Sequence, residues 1–571
     1  MNLNIKAKKE ATYDAIVVGS GISGGWAAKE LTEKGLKVVM LERGRDIKHI
    51  TGYETALKAP WELEHRGRVT TQAKEEYWAG IRTGYTANEE HRYLFENDKE
   101  NPYLETRGFD WIRAYHVGGR SLLWGRQSYR LNAEDFEANG KEGVGVDWPI
   151  RYNDIAPWYD YVEKFAGISG SIENLDVLPD GQFLPPMDMT CLEKSVKSSI
   201  ESKFAGRKMI IGRTANLSKA NSIHTELGRA ACQFRNMCMR GCPYGAYFST
   251  QSATLPAAQR TGNLTLIPDA IVSEVIYDEK LGKASGVRVI DQNTMEVREY
   301  YAKIIFLNAS AIASTSIMMN SISDRFPNGL GNDSDQLGRN IMDHHLSAGA
   351  RGDWEGFEDQ YYFGRRANGI YIPRYRNWGS DKRDYLRGFG YQGGGSRDGW
   401  GRGMGMRGFG ADFKDALSYP GQWRMNLGGF GEMLPLESNR MTLSKDKKDK
   451  WGLPLVDFDA AYSDNELKMR EDMANDAAEM LEAAGLKNVT TYNDLSKNPG
   501  IGIHEMGTAR MGLDQKTSVL NKHNQVWGCD NVYVTDGACM TSSSCVNPSL
   551  TYMALTARAA DHAVKSLKGM S

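Results

Sequence analysis

Seven cysteines in 571 residues are too few for a disulfide framework, and no apolar run approaches the roughly 18 residues that cross a bilayer. The opening residues, MNLNIKAKKEAT, carry charge but no apolar core, so no secretory leader and no membrane span of its own is expected. Charge of one sign is missing too. Lys and Arg number 70 against 72 Asp and Glu, a net charge of -2, which excludes nucleic acid or an anionic membrane as the expected partner. No internal repeat or low-complexity tract is present. What remains is a chain long enough for two joined domains, with 61 glycines, 27 tyrosines and 13 tryptophans, suited to small near-neutral ligands.

The stretch DAIVVGSGISGGWAAKELTEKGLKVVMLERG, residues 14–44, reads as strand, tight turn, helix, strand. Gly19 permits the turn, Gly21 lets backbone approach a pyrophosphate, and Gly24 lets the helix pack on the strand, so a diphosphate can sit at the helix N-terminus. Glu42 ends the second strand, where an acid binds ribose hydroxyls and repels the 2′-phosphate of NADP. The motif predicts a dinucleotide and leaves FAD and NAD open.

Further along, Arg45 to Asn101 is polar, without periodicity, and reads as irregular surface with short helices. In HVGGRSLLWG, Gly118, Gly119 and Ser121 suit a second close approach to a flat or phosphorylated ligand. A helix is expected to start at Asn153–Asp154, and residues 260–320 return to β-rich runs, with Val272 among the expected nucleotide contacts. Trp354 to Phe458 reads as an antiparallel sheet, with the glycine run 387–410 as a mobile loop. Ser463 and Glu466 open a helix that Gly485 stops. Near the C-terminus a strand ends at Asp536–Gly537, and a helix begins at Pro548 with Asn547 as its N-cap. His504 sits on a glycine loop, where an imidazole is a usable base at neutral pH.

Six motifs follow one another along the chain: the N-terminal glycines, the Gly118–Gly119 segment, LGRNIMDHH at 337–345, SNRMTLS at 438–444, HEMGTARMG at 504–512 and CVNPSLTYMAL at 545–555. Together they resemble the glucose–methanol–choline (GMC) oxidoreductase family from end to end. The resemblance implies an α/β fold: a Rossmann-like FAD-binding domain with a parallel sheet, and a substrate domain built on an antiparallel sheet flanked by helices. The FAD domain is expected at 12–170, 225–345 and 495–571, and the substrate domain at 171–224 and 346–494. It also implies oxidation of an alcohol or sugar, with His504 and Asn547 as the catalytic pair, and with Asp536, Gly537 and Pro548 beside the flavin. Leu123 stands where pyranose oxidases of the family have a flavin-tethering His, so non-covalent FAD is expected.

Cys232, Cys238 and Cys242 lie at C-x5-C-x3-C with Pro243 next, a spacing whose ending resembles ferredoxin-type loops. Three cysteines and no fourth nearby suit a three-iron cluster; zinc held by the three with His224, or plain thiols, are the alternatives. The segment also resembles bacterial FAD-dependent glucose and glucoside dehydrogenases of the family, which carry a [3Fe-4S] cluster. That implies a dehydrogenase with a small accessory subunit and a cytochrome-type acceptor, and a periplasmic location by co-export; a cytoplasmic location is the direct reading of the N-terminus. The implied substrate is a pyranose or glycoside oxidised at a ring hydroxyl, C3 before C1 or C2, with Trp354, Tyr361, Tyr362, Trp400 and Trp423 as residues able to stack on sugar faces. An oxygen-using oxidase and an inactive flavin-binding subunit are the rival readings.

Overall fold

The structure is a computed structural model that describes residues 8–85, 88–362 and 369–569; the opening residues read for a leader lie partly outside them, at 1–7. Among the described residues, an eight-stranded sheet runs in the order Gln525–Val526, Cys529–Val534, Val297–Leu307, Lys8–Val18, Val38–Leu41, Leu264–Ile267, with the hairpin Ala270–Asp278 and Lys283–Asp291 attached to Val297–Leu307. Its centre is parallel: Val17 pairs with both Met40 and Phe306, and Val532 pairs with Ile305. The runs IVV and VVML are buried on both sides, as apolar β-branched strands without alternation should be. Helix Ile22–Glu33 and the C-terminal helix Ser549–Leu567 cover one face, where Ala27, Ala28 and Leu31 pack with Ala559, Ala560 and Ala563.

The second sheet has seven strands in the order Lys487–Asn493, Ala348–Trp354, Trp423–Glu432, Phe389–Arg397, Ile370–Ile372, Ile210–Ile211, with the short strand His344–His345 pairing beside Glu432. Helix Asp464–Ala483 packs on it through Met469, Met473, Ala477 and Met480. Its start is the expected capping box, with Glu466 Oε2 accepting from the Ser463 amide at 2.7 Å, and Gly485 follows its end at φ 94°.

Two sequence expectations are corrected here. The glycine run 387–410 is a loop only in its second half: residues 389–397 are a strand of the sheet, paired on both sides with Ile370–Ile372 and Trp423–Glu432. The glycines serve close packing, since a Cβ on Gly393 would stand 1.9 Å from Asn426 O and one on Gly395 would press on Leu192. The helix expected at Asn153 starts at Tyr152, because the Asp154 carboxylate accepts from the Arg151 amide one position earlier. The polar stretch after Gly44 holds short helices, as expected.

The glycine turn yields a prediction. A Cβ on Gly24 would lie 1.9 Å from Gly19 O, whereas one on Gly21 meets no atom within 4 Å. Gly24→Ala is expected to destabilise the cofactor-free protein by about 1–3 kcal/mol, as overpacking does. Gly21→Ala is expected to leave its melting temperature unchanged and to weaken dinucleotide retention through a desalting column.

Candidate active site

The parallel strands end at a cavity of about 480 Å³ that runs from the glycine turn to the C-terminal loops. Gly19, Gly21, Glu42, Gly119, Ser121, Val272, His504, Asp536 and Gly537 line it. Ser20, which the motif left unassigned, stitches two glycine segments together: its hydroxyl donates to Glu42 Oε2 at 2.5 Å and accepts from the Gly118 amide at 2.9 Å. Glu42 also accepts from the Ser20 and Gly44 amides, while burial pushes its carboxyl up. Gly24, Gly118 and Pro548 are not part of the lining. The first two act through close packing, a Cβ on Gly118 meeting the Gln251 amide at 1.9 Å.

Several buried polar atoms of the lining have no partner: Ser23 Oγ, Arg43 Nε, Asn308 Nδ2 and Tyr552 OH. A buried polar group without a partner is costly, so donors and acceptors stranded around one elongated cavity fit a polar ligand such as a dinucleotide. Deeper in, Arg120 donates twice to Glu505, at 2.8 and 2.7 Å. This pair also lines the cavity, and nothing in the sequence singled it out.

His504 is held by two consecutive residues of the LGRNIMDHH motif. Asp343, buried, accepts from the amides of Gly500, Gly502 and His504 at 2.8, 2.8 and 3.0 Å, and burial pushes its carboxyl up to about 7. His344 presents its ring to that of His504, with the two Nδ1 atoms 3.2 Å apart. Its Nε2 lies 2.9 Å from the Ser544 carbonyl, which only accepts, so the His344 proton is on Nε2. Burial holds His344 down at about 3 and therefore neutral. Its Nδ1 is then an acceptor, His504 donates from Nδ1, and His504 Nε2 is left with a lone pair and no partner among the described residues. Burial, with the nearby His344 and Arg120, keeps His504 well below the ordinary imidazole value as well. The arrangement is a neutral base with its free nitrogen set by the protein. Asp343, His344 and His504 bring ligand atoms within 4.8 Å of one another, but the carboxylate and the two facing nitrogens are consumed by these hydrogen bonds, so no metal is needed to explain them.

Asn547 does not cap the C-terminal helix. The helix starts at Ser549 with Pro548 at the cap position and no side-chain cap bond. The Asn547 amide is drawn the other way: its Oδ1 accepts from Gln392 Nε2 at 2.7 Å. Asn547 is outside the cavity lining but lies three residues beyond Ser544, whose carbonyl ends the histidine chain. None of the five aromatics expected to stack on sugar lines the cavity either. Trp354 pairs with Trp423 at one end of a ten-residue strand whose other end, Glu432, pairs with His344, and Trp400 is 82% exposed.

The three thiols of Cys232, Cys238 and Cys242 are half-buried on one loop. They influence one another: burial raises Cys232, and the charges of Cys238 and Cys242 add to this. They are not mutually within 4.8 Å, whereas zinc with 2.3 Å bonds to sulfur needs thiolates about 3.8 Å apart. His224 is equally unsuited to zinc, since its Nδ1 accepts from the Asn221 amide and its Nε2 faces Lys164 O at 3.2 Å. Arg229 is buried with no carboxylate partner among the described residues, donating to the carbonyls of Gly245, Phe165 and Ala166; burial pulls it down to about 9 and the neighbouring Cys242 opposes that shift. Met239 of the same loop packs against an apolar cluster whose members include Phe95, Ile112 and Leu123, which line the cavity.

Because the fold holds His504 neutral, its base form persists as pH falls through about 6.5, where an ordinary imidazole protonates. Flavin reduction by substrate is expected to stay level from neutral pH to below that value; a decline centred there would refute the assignment. His504→Ala is expected to keep FAD and to slow flavin reduction by roughly 10²–10⁴, the range for a general base.

Comparison with known proteins agrees with this geometry. Family profiles described as GMC oxidoreductase match residues 13–346 and 435–556. The chain is 27% identical to 2-methyl-1,2-propanediol dehydrogenase of Mycolicibacterium austroafricanum, covering 96% of this chain and 94% of that protein. It is 26% identical to the fructose dehydrogenase large subunit of Gluconobacter japonicus, covering 97% and 98%. Pyridoxine 4-oxidase from Mesorbium loti shares the fold, with a TM-score of 0.59 at 15% identity over 96% of this chain and 98% of that one. The glycine cradle, the stranded polar atoms and the neutral His504 thus belong to an FAD-dependent oxidoreductase acting on CH–OH groups, and the chain is a member of the GMC oxidoreductase family.

Proposed function

We propose that this enzyme is a dehydrogenase that oxidises a ring secondary hydroxyl of a pyranose or glycoside, C3 before C1 or C2, to a ketone, and passes the electrons to a protein acceptor through an iron–sulfur cluster. The observation that carries the chemistry is the free Nε2 of a neutral His504, with its proton fixed on Nδ1. Bound FAD, held non-covalently, supplies the hydride acceptor. The chain's own residues do the rest: His504 Nε2 takes the hydroxyl proton, and the Asn547 amide, free at Nδ2, donates to the hydroxyl oxygen. Arg120, ion-paired with Glu505 in the cavity wall, adds to the burial that keeps His504 unprotonated.

Cys232, Cys238 and Cys242 would hold a [3Fe-4S] cluster, which supplies one-electron carriage. Three thiolates without a fourth ligand suit that count, and an iron–sulfur core is wide enough to need thiols further apart than zinc does. The buried, acid-free Arg229 next to Cys242 suits an anionic centre. Packing of Met239 against a cluster that shares residues with the cavity wall supports a short path between the cysteine loop and the flavin. A relative named as a large subunit supports an accessory subunit here, with a cytochrome-type acceptor and periplasmic location by co-export as parts of the same reading. No described helix is long and apolar enough to cross a membrane.

The test has two arms. Protein purified anaerobically is expected to contain about three iron per flavin, and iron-free protein with full flavin and undiminished transfer to its acceptor would end the cluster reading. D-glucose, methyl β-D-glucopyranoside, D-fructose and 2-methyl-1,2-propanediol are mixed with the enzyme without oxygen. A glycoside is expected to bleach the flavin, with the new carbonyl located by NMR; bleaching by the diol alone would replace the sugar reading. Rapid reoxidation by air rather than by an artificial acceptor would favour an oxidase.

A further inference from the structure

The catalytic pair divides one hydroxyl between them. His504 Nε2 can only accept, so it takes the O–H proton; the oxygen left behind gains negative charge and needs a donor. Asn547 meets that need only if its NH₂ end faces the substrate. An amide turned the other way would present Oδ1 to the same oxygen and oppose the developing charge. Side-chain amides turn over readily unless a partner distinguishes their ends.

Such a partner is present. Gln392 Nε2 donates to Asn547 Oδ1 at 2.7 Å, and Asn547 Nδ2 has no partner among the described residues. Gln392 is itself oriented, because its Oε1 accepts from Gln127 Nε2 at 3.3 Å. Gln127 Oε1 in turn accepts from the Tyr129 hydroxyl at 2.6 Å. Tyr129 is fully buried and stacks on Tyr371 with ring centroids 4.2 Å apart. The Gln392 backbone is held on both sides, paired with Tyr371 and Gly428 in the middle of the substrate sheet. Every link has one direction, from a rigid aromatic root to Asn547.

We infer that Gln392, anchored through Gln127 and Tyr129, is a positioning residue that fixes the Asn547 amide with its donor end toward the substrate oxygen. It mirrors His344, which fixes His504 as acceptor. The inference rests on His504 and Asn547 sharing the substrate hydroxyl, whichever alcohol carries it. Because alkoxide character develops only on the way to the transition state, the effect falls on the rate of flavin reduction rather than on substrate affinity.

The experiment is a double-mutant cycle on FAD-loaded enzyme, followed by anaerobic stopped-flow with whichever of the four compounds above bleaches the wild-type flavin fastest. Gln392→Met is expected to slow flavin reduction at least tenfold with the apparent Kd for the alcohol unchanged within about threefold. In the Asn547→Ala background the same substitution is expected to change the rate by less than twofold, since there is no amide left to orient. An equal loss in both backgrounds, or a loss confined to Kd, would overturn the inference. If Gln392→Met does not hold FAD, Gln127→Met is put through the same cycle, where a rate loss that vanishes with Asn547→Ala supports the relay and an additive loss refutes it. Failure of all four compounds to bleach the wild-type flavin removes the catalytic reading itself, and the inference falls with it; that result is seen before any variant is made.

Discussion

One buried carboxylate underlies the whole catalytic arrangement. Asp343 gathers the amides of Gly500, Gly502 and His504, so the loop that carries the base is tied to the chain just where it enters the substrate sheet at His344. The next residue then fixes the ring. Backbone and imidazole of His504 are thus set by neighbours at 343 and 344, and neither can shift without the other. Burial pushes the Asp343 carboxyl up even though three amides stabilise its charge.

The site has a consistent polarity. Each of the two proposed catalytic groups has one end consumed by the protein: Nδ1 of His504 goes to His344, and Oδ1 of Asn547 goes to Gln392. In the proposed reaction an acceptor and a donor would then face one hydroxyl, the pairing that alcohol oxidation requires. The partners come from different sheets and loops, so the polarity exists only when both domains are assembled. On the opposite side, the polar atoms stranded along the cavity mark the dinucleotide's course, and Ser20 ties the two glycine segments together beneath it.

Local chemistry misled the reading wherever a long-range partner outbid it. Asn547 before Pro548 is a strong helix-start signal, yet the amide bonds to a strand 155 residues away in sequence. Gly393 read as part of a mobile loop, but the backbone of Asn426 on the neighbouring strand leaves no room there for a Cβ. Of the tryptophans read as sugar platforms, Trp354 and Trp423 sit at the far end of the substrate sheet and Trp400 on an exposed turn. His344 was legible as part of a motif, though its role was not, and Gln392 carried no signal at all.

What the sequence determined by itself is the set of features encoded in short range. These are the βαβ unit with Gly19, Gly21 and Glu42, the buried parallel strands, the capped helix after Ser463, the three clustered cysteines, and the motif order that places the chain in its family. Those depend on periodicity, turn geometry and spacing, which neighbouring residues settle among themselves. Which nitrogen of His504 is free, which end of Asn547 points outward, and which glycines line the cavity were decided only by the tertiary structure. A proton's position on a ring or an amide's orientation is set by the partner at its other end, and here those partners, His344 and Gln392, are distant in the chain and adjacent only once it has folded.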